Sequence, residues 1–108
     1  MTSAEKYDLP KDVQAECLAI VHGYRRRLWS ERPEDQRRVE AVKKARESIG
    51  ADLPENMRKQ LQGAIIKNCL DGRKAQFHLL GISFVSRSEF YRRRRYFLRE
   101  VAEQLGIA

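Results

Sequence analysis

Between Val85 and Arg99 the chain carries six arginines, Arg87, Arg92, Arg93, Arg94, Arg95 and Arg99, interleaved with Phe90, Tyr91, Tyr96 and Phe97. A guanidinium is planar and permanently charged, and its donors fit phosphate oxygens or, as a fork, the O6/N7 edge of guanine. The same stretch bears the signals of a helix start. Ser86 stands at the cap position, Glu89 follows three residues later as in a capping box, and Val85 and Phe90 are placed as a hydrophobic staple. A capped helix N-terminus that opens into dense positive charge offers backbone N–H groups and cations to phosphate together. The chemistry available to these residues is recognition of a polyanion.

At about 100° per residue, Phe90, Phe97, Val101 and Leu105 fall on one stripe with Leu98 at its edge. Ser88, Arg92, Arg95 and Arg99 fall opposite, flanked by Tyr91 and Tyr96. A run of four arginines is also what a solvated face or a localisation signal looks like; its place inside a capped amphipathic helix favours contact with nucleic acid. Arg94 falls inside the apolar stripe. Either its stem packs inward while the head reaches out, or it pairs with a partly buried carboxylate.

Other chemistries find little support. No Gly-rich phosphate loop, H-E-x-x-H or G-x-S-x-G is present. His22 lies opposite an apolar stripe, as a solvated residue would, and His78 has no metal ligand at a suitable spacing. Cys17 and Cys69 are far apart and lie on or beside apolar stripes, which fits small buried hydrophobes better than a disulfide. No enzyme, catalytic residue, metal, cofactor or small-molecule substrate is expected.

The 108 residues suit one modest core, and the +7 net charge is uneven. Residues 1–72 hold 14 Lys+Arg against 12 Asp+Glu, whereas residues 73–108 hold 8 against 3. No apolar run approaches the roughly 18 residues of a membrane span, and the first residues lack a signal-peptide h-region, so a cytoplasmic location away from membranes is expected.

The elements that must position the arginines read as helices throughout. Asp8 is the expected cap of a first helix, with Pro10 in its first turn and Val13, Cys17, Ile20, Val21, Tyr24 and Leu28 as its stripe to about Trp29–Arg32. Arg25, Arg26 and Arg27 suit the negative end of its dipole better than they suit DNA. Pro33 opens a second helix with stripe Val39, Val42, Ala45 and Ile49, ended by Gly50. Asp52 and Glu55 form the expected capping box of a third, with Met57, Leu61, Ala64, Ile65 and Cys69 inward. Arg73 to Leu80 fits a short fourth helix stopped by Gly81. The expected fold is all-α, about five helices ending in a helix-turn-helix. Residues 1–72 form a three-helix portion for packing or dimerisation and 73–108 the DNA-binding portion of the same compact unit.

The segment HLLGISFVSRSEFYRRRRYFLREVAEQLGI resembles the C-terminal part of phage-encoded late transcription regulators of the ArpU and RinA type. Ser86-Arg87-Ser88-Glu89-Phe90-Tyr91-Arg92-Arg93-Arg94 and the final Leu105-Gly106 carry the likeness, and Gly23-Tyr24-Arg25-Arg26 resembles the opening of short prophage proteins. It covers about a third of the chain, and residues Ile82 to Val85 make the turn longer than the pattern's. The resemblance implies a fold related to region 4 of sigma factors and activation of phage late genes, with RNA polymerase as a possible partner.

The expected function is therefore sequence-specific binding of double-stranded DNA through the major groove, by a regulator that could act as a homodimer. Ser88, Tyr91, Arg92 and Arg95 are the expected base readers; Arg73, Lys74, Ser86, Arg87, Arg93 and Arg99 the expected phosphate contacts. About five phosphate contacts imply a log-affinity against log-salt slope of roughly −4 to −5. The competing reading is a non-enzymatic helical assembly protein, like a small terminase subunit, or an arginine-rich RNA binder.

Overall fold

The computed structural model describes residues 9–107. They form five α-helices and no strand: α1 (Lys11–His22), the single turn α2 (Tyr24–Arg27), α3 (Pro33–Ser48), α4 (Glu55–Asp71) and α5 (Arg87–Gln104). The chain is all-α. Asp8, the expected first cap, lies outside the described residues, and Pro10, expected in the first turn, is itself the N-cap of α1, without a side-chain cap bond. None of the described helices is long and apolar enough to cross a membrane.

One hydrophobic cluster draws on all four long helices. Cys17, Ile20 and Val21 come from α1, Val42 and Ala45 from α3, Leu61, Ile65 and Cys69 from α4, and Phe90, Phe97, Leu98, Val101 and Ala102 from α5. All five α5 residues are fully buried. That helix lies chiefly along α3 and α1, so the arginine-rich element is also the central strut of the fold. Val39 and Ile49 are buried as their spacing predicts, and the buried Ala41 widens the α3 stripe. Gly50 takes φ +73°, and a Cβ there would lie 3.2 Å from the Arg58 side chain, so the turn after α3 has two reasons to be glycine.

Three further boundaries depart from the sequence reading. The first helix breaks at Gly23 rather than running on to Trp29, and Arg27 reaches back to donate from Nη1 to the Ile20 carbonyl at 3.2 Å. Its guanidinium also pairs with Asp35 at 3.5 Å. Arg27 thus serves a helix end, the role expected for this basic run.

The Asp52–Glu55 capping box does not form. The N-cap of α4 is Pro54, with no side-chain cap bond. A residue before proline is disfavoured in the helical region, which works against Leu53 as the first helical residue, and the helix starts at Glu55.

The expected helix from Arg73 to Leu80 is instead two 3-10 turns, Gly72–Ala75 and Phe77–Leu79, split by an extended Gln76 (ψ 156°). The buried Asn68 amide donates to the Ala75 carbonyl at 2.8 Å, occupying an acceptor that a continuing helix would have used. The element in front of α5 is therefore not the regular helix that a helix-turn-helix places there.

Both cysteines are buried free thiols. Burial pushes Cys17 up to about 11 and Cys69 upward as well, so neither is a nucleophile at neutral pH. His22 is exposed, yet its Nε2 lies 2.6 Å from the Cys69 carbonyl. A carbonyl can only accept, so Nε2 carries the proton and ties the end of α1 to α4.

Candidate nucleic-acid interface

At the N-terminus of α5 the serine half of the expected capping box forms, while the Glu89 carboxylate accepts from Arg92 and Arg93 instead of turning back to the Ser86 amide. Ser86 is extended (ψ 165°) and its Oγ accepts from the Glu89 amide at 3.1 Å. Beneath this turn the Phe90 ring is fully buried, 5.2 Å from Phe77 and edge-on to Tyr91 at 5.2 Å. Phe77 belongs to the second 3-10 turn. The ring series Phe77–Phe90–Tyr91 therefore pins the segment that follows Arg73 and Lys74 against the base of α5.

Above the rings stand the exposed groups Arg87, Ser88 and Arg92. The Arg87 guanidinium lies 5.8 Å from the centre of the Tyr91 ring and that of Arg92 5.8 Å from Tyr96, each an i,i+4 stack. Arg92 also donates to Glu89 at 2.7 Å. That hydrogen bond raises Arg92 above its ordinary value and, with the one from Arg93, holds Glu89 below the usual carboxylate range. Glu89 is thus neutralised by its own helix and leaves no net negative charge at the cap. Arg73 and Lys74 are exposed on the first 3-10 turn.

The remaining candidates are engaged within the protein. Arg93 grips Asp52 as a fork, Nη1 to Oδ1 at 2.9 Å and Nη2 to Oδ2 at 3.0 Å, while its Nε donates to Glu89 at 2.9 Å. Its side chain is only 18% exposed. Arg99 donates to Glu103 at 3.0 Å. Arg95 is half-buried and has a partner of its own. Arg94 is half-buried, its Nε enclosed without a hydrogen-bond partner, and its charge lies near enough to the Cys69 thiol to oppose the effect of burial there. The exposed positive groups of α5 are thus concentrated in its first two turns, with the pairing of Arg93 to Asp52 legible from no local motif.

That pairing sets a pH response. The Arg93 hydrogen bonds hold the Asp52 carboxyl down at about 2. A depressed carboxylate contributes stability in full above its unfolded value of about 3.9 and loses it as pH falls through the folded value. The tie between the 50–54 turn and α5 therefore weakens between about pH 4 and pH 2. In Arg93→Ala, the midpoint of an NMR titration of Asp52 should move up toward about 3.9 but stop short of it, because a backbone hydrogen bond to the same carboxyl remains. The accompanying loss of stability at neutral pH should be about 1 kcal/mol, because Asp52 is 66% exposed and solvent screens the pair. A midpoint still near 2 in the variant would show that Arg93 is not the cause.

Among the described residues no group of three or more His, Cys, Asp or Glu is arranged to hold a metal. Comparison with known proteins finds no matching family model, no similar curated protein and no similar solved structure.

Proposed function

We propose that this chain is a sequence-specific DNA-binding regulator of the cytoplasm whose α5 N-terminus enters the major groove. The observation that carries the reading is the exposed trio Arg87, Ser88 and Arg92 on a capped helix end, both guanidinium groups backed by tyrosine rings. Arg92 and Ser88 face base edges, with Tyr91 and Arg95 beside them at the groove wall. Arg87, Arg73 and Lys74 hold phosphates, and Ser86 fixes the helix end at which a further phosphate meets backbone N–H groups. Arg92 is also ion-paired but its side chain is 54% exposed, whereas Arg93 and Arg99, at 18% and 31%, support the helix rather than the duplex. Three side-chain phosphate contacts give a log-affinity against log-salt slope of about −3 at ~0.9 per contact, shallower than the sequence alone suggests. The resemblance to ArpU- and RinA-type regulators supports a phage or prophage role in activating late genes, with RNA polymerase as a partner.

Selection of bound duplex from a random pool, followed by competition with excess random duplex and with folded RNA, tests the reading. A selected site should retain the protein at moderate salt against both competitors. Equal loss to random duplex would instead favour an assembly protein that coats DNA, and preference for folded RNA an arginine-rich RNA binder.

A further inference from the structure

Trp29, the single tryptophan of the chain, is 90% exposed on the turn between α2 and α3, beside the partly exposed Leu28. A side chain this large and apolar gains nothing from water, and tryptophan is the residue most enriched at the centres of protein interfaces. The same turn borders a cleft of about 360 Å³: Arg27 and Glu34, which flank the turn in sequence, both line it. Its apolar lining is Ala19, Ile20, Leu105 and Ile107. Arg37 and Arg38 also line it, and a guanidinium group can cover a ring face; so do Glu16 and Glu34, and a carboxylate can accept an indole N–H. The cleft offers each kind of contact an indole uses, yet the chain's own indole stands outside it.

We infer that two copies of this chain form a twofold dimer in which Trp29 of each inserts into the cleft of the other. Knob and hole adjoin on one patch, which is what an isologous contact requires. The charges agree. The patch carries both signs, so a uniformly acidic or uniformly basic partner would meet like charge, whereas a second copy brings the same mixture of carboxylates and guanidinium groups. The Arg32–Glu34 pair, 3.5 Å apart and more than 70% exposed on both sides, can be exchanged between copies. The cleft sits at the Leu105 end of α5, and the 18 residues of that helix at ~1.5 Å each put its capped end roughly 27 Å away. Pairing therefore leaves both arginine ends uncovered.

The test uses the whole chain without nucleic acid, so its failure leaves the DNA reading untouched. Sedimentation should show a mass that doubles with concentration, and the tryptophan emission should move to the blue as it does. Trp29→Ala removes the knob, and Ala19→Arg fills the hole from an exposed position on α1; each should stay monomeric with the parent's helicity and melting temperature. An equimolar mixture of the two should associate again, more weakly than the parent, because the arginine variant keeps its knob and the alanine variant its hole. A monomer at every concentration would overturn the inference. So would a dimer whose indole stays in water, a Trp29→Ala variant that pairs like the parent, or a mixture that fails to associate.

Discussion

Phe97→Ala lowers the free energy of unfolding by about 3–5 kcal/mol. Phe97 is fully buried at the middle of α5, in the cluster that joins that helix to α1, α3 and α4. Truncation removes a ring's worth of transfer free energy and leaves a cavity that rigid helices on several sides cannot collapse into. Against a total stability of about 5–15 kcal/mol for a domain of this size, the variant should be marginal. In urea, with a slope of about 2 kcal/mol/M, the midpoint should move down by roughly 2 M. Leu79→Ala is the matching control: Leu79 is 60% exposed on a 3-10 turn and should change stability by no more than about 0.5 kcal/mol. A Phe97→Ala loss as small as the control's would mean that α5 is not the strut of the fold.

The second large effect is on binding. Arg87→Ala combined with Arg92→Ala should reduce affinity for a selected duplex about 100-fold, at roughly tenfold for each guanidinium removed, while leaving the melting temperature close to the parent's. Both side chains are exposed, and the core beneath them is untouched by their removal. The two singles should differ in kind. Arg87→Ala should weaken binding to every sequence alike and flatten the salt slope by about 1. Arg92→Ala should relax preference at particular base pairs. Titrations at three salt concentrations against selected and scrambled duplexes separate these outcomes, and a double variant that binds like the parent would remove α5 from the interface.

Much of the fold was legible because its signals are local. The 3-4 stripes of α1, α3, α4 and α5 are buried over most of their length, with Leu28 left exposed beyond the break at Gly23, and the Ser86 cap formed because the donor it serves lies three residues along the same turn. Where a local signal misled, another local rule or a distant group had priority. Proline at 54 disfavoured a helical Leu53, and Asp52 pairs with Arg93 instead of capping α4. Asn68 took the Ala75 carbonyl and helped to turn an expected helix into 3-10 turns.

Helicity, the apolar and basic sides of α5 and the cap at its start are all written in the order of the residues, since each depends on groups within a few positions of one another. Which cations remain exposed was settled by packing between distant segments. Arg93 meets Asp52 across 41 residues, Arg94 is drawn in until its Nε is enclosed, and Trp29 is left outside its own cleft. A guanidinium has the same charge wherever it sits, so its availability to a ligand is set by neighbours that periodicity does not identify.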